Sequence, residues 1–176
     1  GFKGDISATI KGLGIGIEVS LQAGNVDKGQ GNFTYFFFDG KFKYEPGFQI
    51  PSTNASIYGF GGGFYFNMIR DTMPITGYEA LATKDPNFNK PGGSQTGLKY
   101  IPKKGGIGFS ASVIFGQSGG TTAAAAFNGD LTFRMQLTIQ SGIDFIELEG
   151  HVYVMRPLLK AEEKNKAAIH GWAKIT

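Results

Sequence analysis

Strict alternation of apolar and polar residues constrains this chain more than any other feature. Over residues 127–139, Phe127, Gly129, Leu131, Phe133, Met135, Leu137 and Ile139 share one parity, while Asn128, Asp130, Thr132, Arg134, Gln136 and Thr138 share the other. A period of two is the period of a β-strand, with one apolar and one wet face. Ile107, Phe109, Ala111, Val113 and Phe115 repeat the pattern, as do Ile15, Ile17, Val19 and Leu21. Upstream, Ile6, Ala8 and Ile10 take the opposite parity, and the phase changes at Gly12-Leu13-Gly14. That predicts a bulge or a turn between two strands. In residues 143–155, Ile146, Leu148, Val152 and Val154 face one way, and Glu147, Glu149, His151 and Tyr153 the other.

Turn signals punctuate these runs: Ala23-Gly24-Asn25, Asp27 to Gly31, Glu45-Pro46-Gly47, Gln117 to Gly120, and Ser141-Gly142, which predicts a tight hairpin. Residues 33–44 read as an aromatic strand. In 56–69, Tyr58, Phe60, Phe64, Phe66 and Met68 share a parity, and Gly59, Gly61 and Gly63 leave the other face bare. Aromatic cover from Phe36 or Phe38 is the ordinary expectation for such a glycine row. Residues 70–97 form the longest stretch without a strand pattern, with Pro74, Pro86 and Pro91, and room for a helical turn at Tyr78–Ala82. Residues 158–168 read as a short helix or a charged connection. The expected fold is all-β and antiparallel, with eight or nine strands in a sandwich or a curved open sheet or barrel, and one long loop around 70–97. No βαβ rhythm is present. Residues 1–176 read as a single β domain and, since the chain opens at Gly1-Phe2-Lys3 without Met and ends mid-pattern at Gly171 to Thr176, as a fragment of a longer chain.

Composition removes several classes. Glycine supplies 28 of 176 residues without a three-residue period, so collagen is excluded. There is no cysteine, which removes disulfides, thiolate catalysis and cysteine-based metal sites. The net charge of +3 is small and scattered and makes no nucleic-acid footprint. No apolar run is long enough for a transmembrane helix.

Candidate chemistry is sparse. Gly116-Gln117-Ser118-Gly119-Gly120 matches a nucleophile elbow, with Asp144 and His170 following in order. The strand-to-helix context that the elbow needs is missing, so a hairpin loop is expected. Glu147, Glu149 and His151 on one strand face suit a cation or sugar chemistry, yet read as a solvated outer face. His151 and His170 stand 19 residues apart, outside any ligand motif. Gly12–Gly16 and Gly59–Gly63 lack the dinucleotide fingerprint. Lys41 to Tyr44 and Lys99 to Lys104 mix basic and aromatic residues and read as lysine-guarded strand edges. Asn32-Phe33-Thr34 and Asn54-Ala55-Ser56 are glycosylation sequons, and Asp71-Thr72-Met73 fits an O-glycosylation pattern of exported Gram-negative proteins.

The runs Ile57 to Met68, Gly106 to Gly116 and Ala126 to Leu131, in this order, resemble an uncharacterised β-rich segment of very large exported surface proteins of Bacteroidetes-type Gram-negative bacteria. The resemblance carries no catalytic residue. It implies a non-enzymatic structural or interaction domain, extracellular or at the cell surface. Its core would be the apolar parities Phe127 to Ile139 and Ile107 to Phe115. Its partners would be proteins or neighbouring repeats of the same large protein, met at the long 70–97 loop or joined at a strand edge. No catalytic, cofactor-binding or metal-binding residue and no cofactor is assigned, and the ligand-binding residues stay open. Two alternatives stand beside it. One is a small outer-membrane β-barrel, with an apolar exterior and polar lumen, ranked second because the sequence shows neither a leader nor a final strand ending in an aromatic. The other is a carbohydrate-binding module using Tyr35, Tyr44, Tyr65, Tyr100 or Trp172 as stacking platforms.

Overall fold

The computed structural model describes residues 2–26, 31–70, 100–119, 126–155 and 167–176. They form one antiparallel meander of eight strands in sequence order. The strands are β1 (Phe2–Ile10), β2 (Ile15–Val26), β3 (Phe33–Gln49), β4 (Ala55–Arg70), β5 (Tyr100–Gln117), β6 (Phe127–Thr138), β7 (Gly142–Val154) and β8 (Ile169–Ile175). The sheet is open: β1 and β8 are its edges, and no pairing joins them among the described residues. The all-β antiparallel expectation therefore holds, in the form of a curved open sheet rather than a sandwich or, among the described residues, a closed barrel.

Several local signals act as expected. A single 3-10 turn at Lys11–Leu13 separates β1 from β2, with Gly14 at φ +63°. Ser141 donates its backbone N–H to the Thr138 carbonyl, and Gly142 takes φ +86°, so the β6–β7 hairpin is tight. Two other turn signals do not turn the chain. Ala23-Gly24-Asn25 runs straight through β2. Glu45-Pro46-Gly47 sits inside β3 as a bulge, between the paired positions Lys43 and Phe48. Proline cannot donate to a ladder, and a bulge is where a strand tolerates it. The basic-aromatic stretches are not edges either, since β3 and β5 are interior strands. The expected long loop lies outside the described residues apart from Arg70. So do the helical turn at Tyr78–Ala82, the sequence Asp71-Thr72-Met73 and residues 158–166.

Bulges also reset the faces of β4. The register shifts between Ile57 and Gly59 and again between Phe66 and Met68. A one-residue shift sends every following side chain to the other face. Tyr58 and Met68, expected beside Phe60, Phe64 and Phe66, are instead buried on the opposite face from those three exposed rings. Asn67, at φ 52°, fills the second bulge and ties its neighbours: its Nδ2 donates to the Thr34 carbonyl, and its Oδ1 accepts from the Gly105 N–H.

The largest departure concerns the core. Register continues across the strands, so side chains of one face line up in rows. One row runs Leu21, Phe38, Phe64, Phe109, Met135, Ile146, Ile175, and the next Val19, Gly40, Gly62, Ala111, Phe133, Leu148, Ala173. This apolar face is the outside: Phe38, Phe64, Phe109, Leu131 and Leu148 are all exposed. The buried residues are those of the polar parity, Asn128, Asp130, Thr132, Arg134, Gln136 and Thr138 on β6 and Glu147 and His151 on β7. The apolar parities of Phe127 to Ile139 and Ile107 to Phe115 are thus not the core. Curvature is the reason. The sheet bends until Arg70 on β4 reaches Glu147 on β7, three strands away, at 2.8 Å. A flat sheet would hold those strands about 14 Å apart. The concave face encloses its own side chains, and alternation alone does not say which face is concave.

Candidate functional site

The concave face is the only enclosed chemistry the described residues offer. Its rows follow from the same register: Ser20, Asp39, Gly63, Ser110, Arg134, Glu147, Lys174, and beside it Gln22, Phe37, Tyr65, Gly108, Gln136, Phe145. At its centre lies an ion network. Arg70 Nη1 donates to both carboxylate oxygens of Glu147, at 2.8 and 2.9 Å. Arg134 Nη1 donates to Glu147 Oε1 at 2.6 Å and to Glu149 Oε2 at 2.8 Å. Two guanidinium groups meet two carboxylates, so charge balances locally, as burial demands.

Toward the β6–β7 hairpin the partners change from guanidinium groups to amide and hydroxyl groups around the Asp144 carboxylate. Gln136 Oε1 accepts from the Tyr65 hydroxyl at 3.0 Å and from the Arg70 backbone N–H at 2.8 Å. Gln136 Nε2 donates to Asp144 Oδ2, which also accepts from Thr138, at 2.9 and 2.7 Å. An aromatic cluster of Phe37, Tyr65 and Met68, with Tyr35 and Tyr100 packed against it, plugs this end. Toward the other end, His151 Nδ1 lies 3.1 Å from Asp130 Oδ1. His170, directly opposite on β8, stacks on His151 with ring centroids 4.5 Å apart and planes 7° apart.

These placements correct several expectations. Glu147, Glu149 and His151 are not a solvated outer face; they line the concavity, with Glu147 only 3 % exposed. Arg134 bridges both carboxylates, so the pair is clamped by cation rather than poised for acid–base work on a sugar. His151 and His170, distant in sequence, are stacked ring on ring. The serine triad does not assemble. Ser118 lies just past the end of β5, with its hydroxyl 2.9 Å from that of Ser56. Asp144 lies near the start of β7, at the opposite end of the meander. Tyr65 and Tyr100 pack against each other inside the concavity, with centroids 4.7 Å apart and planes tilted by 45°, and form no sugar platform. Tyr44 pairs with Phe48, and Trp172 is exposed at the β8 edge.

Nor does Phe36 or Phe38 cover Gly59, Gly61 and Gly63. A Cβ on Gly63 would meet Asp39 Oδ1 and the Phe38 carbonyl, both at 2.9 Å, and one on Gly59 would meet the Phe42 carbonyl at 2.6 Å. The glycines let neighbouring backbones close in at the bend. Sequence reasoning missed Arg70, Arg134 and Asp130 as partners, because their pairings depend on curvature and on long-range register. Comparison with models of protein families, with curated proteins and with solved structures finds no match to this chain.

Proposed function

We propose that this chain is the wall of an outer-membrane-type β-barrel, its convex face turned to lipid and its concave face forming a plugged polar lumen. One observation carries the reading: on β3–β7 the large apolar side chains Phe38, Phe60, Phe64, Phe109, Leu131 and Leu148 are exposed on one face, while Asp39, Asp130, Arg134, Glu147 and His151 are buried on the other. In water that arrangement is inverted. Monomeric soluble proteins rarely expose contiguous apolar patches beyond a few hundred Å². Here seven strands by five residue rows cover about 29 by 27 Å, on the order of 800 Å².

Dimensions support lipid as the occupant. The convex residues of β6 run from Phe127 to Leu137. At about 3.4 Å per residue that is about 34 Å along the strand, and a tilt of about 40° projects it to about 26 Å. Outer-membrane barrels carry an apolar band about 25 Å tall, bordered by aromatic girdles. Most of the convex rings fall in two bands, Phe36, Phe38, Phe64, Phe66 and Phe109 toward one margin and Phe42, Tyr44, Phe60, Phe115 and Phe127 toward the other; the row between them holds Gly40, Gly62 and Ala111, with Phe133 its one ring. An eight-stranded barrel has an interior just wide enough for its own side chains to fill, which suits a lumen packed with ion pairs. The role is a non-catalytic one, the location the outer membrane, and the partner lipid.

The test is refolding of the chain from denaturant into plain buffer, into micelles and into phosphatidylcholine vesicles. We expect aggregation in buffer, and a β-type circular-dichroism spectrum with protease-resistant strands in micelles and vesicles. A monodisperse protein with that spectrum in plain buffer would overturn the reading.

A further inference from the structure

The geometry points to a divalent transition-metal site at the β7–β8 edge, formed by Glu149, His151 and His170. One donor atom from each residue lies within 4.8 Å of the other two. Glu149 Oε1 stands 3.5 Å from His151 Nε2 and 3.5 Å from His170 Nε2. That is beyond the 2.7–3.2 Å of an ordinary N–H···O hydrogen bond. The Glu149–His151 spacing matches the separation of two ligands on one tetrahedral ion, about 3.4 Å for metal–ligand bonds of about 2.1 Å.

Surrounding groups prepare the donors. Asp130 Oδ1 lies 3.1 Å from His151 Nδ1 and fixes the tautomer whose Nε2 carries the lone pair, as carboxylates do for metal-bound histidines. Arg134 holds Glu149 Oε2 at 2.8 Å, which aims Oε1 at the imidazoles. The Arg134 charge is itself offset by Glu147 at 2.6 Å. His151 is buried and fixed, whereas His170 is 46 % exposed. The two rings are nearly parallel, so His170 must turn to aim its lone pair at a shared ion, and its exposure at the edge strand allows that. Two imidazoles and one carboxylate suit zinc-like cations over calcium or magnesium, which take oxygen ligands. The fourth position would face solvent beside His170. A bound ion would fasten the edge strand β8 to β7.

The site needs only the β7–β8 pairing and does not rest on the membrane reading. Its test is titration of the folded, untagged chain with Co²⁺, read by visible absorption, followed by displacement with Zn²⁺. The expected result is one tetrahedral Co²⁺ per chain. His170→Ala, at a half-exposed position, should weaken binding by at least 10-fold, and Asp130→Asn by about 10–100-fold. Zn²⁺ should raise the melting temperature of the wild type and leave that of His170→Ala unmoved. No tetrahedral Co²⁺ signal in the folded wild type, or equal binding by His170→Ala, would overturn the proposal. A chain that is monodisperse in buffer and still takes up one Co²⁺ would overturn the membrane reading alone.

Discussion

Gly108 shows how single residues set this sheet. It lies on the concave face of β5, and the Tyr65 ring lies across it. A Cβ there would enter the phenol ring and stand 2.6 Å from the Met135 carbonyl. Tyr65 cannot swing away freely, because its ring packs against Tyr100 at 4.7 Å and its hydroxyl donates to Gln136. Gly108→Ala should therefore cost about 1–3 kcal/mol, the range for an overfilled interior. The check is the denaturant midpoint in micelles, with Gly12→Ala as control; nothing lies within 4 Å of a Cβ at Gly12. An unchanged midpoint for Gly108→Ala would mean that the Tyr65 cover is loose. Glycine under an aromatic is thus a feature of this protein, and the sequence announced the type of contact but not its place. It drew attention to Gly59, Gly61 and Gly63, whereas rings lie against Gly108, against Gly129 (Phe115), against Gly24 (Tyr35) and against Gly47 (Tyr58). Which ring meets which glycine depends on cross-strand register, and neither residue encodes that alone.

At the scale of elements, strands with unbroken alternation were legible. β2, β5 and β6 follow their expected parities over the sections that pair in regular register. β4 was not, because its two bulges each reverse the phase and an alternation rule carries on across them. The outer strands raise a different question. Within lipid, unpaired backbone N–H and C=O groups cost several kcal/mol each, so an open edge is not viable there. With eight strands in a meander, β1 and β8 run antiparallel, so closure in a bilayer would pair them as neighbours of the ordinary kind. Because the chain has no cysteine, one engineered residue on each edge supplies the only thiols. A scan combining Gly4→Cys or Ala8→Cys with Gly171→Cys or Ala173→Cys should yield a disulfide for one register in vesicles. Disulfides require Cα atoms about 4.4–6.8 Å apart, so distant edges give none. If no combination cross-links while the chain remains folded in vesicles, β1 and β8 do not close the sheet on each other.

For the whole molecule, the sequence declared two faces and was silent about which one is sheltered. The site shared that fate: Glu147, Glu149 and His151 looked like a wet surface because nothing local to β7 reports that β4 bends round to meet it. Leu148 turns this ambiguity into a measurement. It lies in the middle convex row, between Phe133 and Ala173, and is 44 % exposed. On a water-facing surface, a substitution there is worth within about 0.5 kcal/mol. At the midplane of a bilayer, an arginine on the lipid face of a barrel costs about 2–4 kcal/mol. Leu148→Arg should therefore destabilise the vesicle-folded chain by about 2–4 kcal/mol. An arginine nearer the margin, as in Phe127→Arg, should cost less, about 0–1 kcal/mol. That gradient with depth belongs to lipid and not to a protein partner, whose contact would penalise both rows by local packing. Equal losses at the two positions, measured by urea unfolding from vesicles, would assign the convex face to a protein instead.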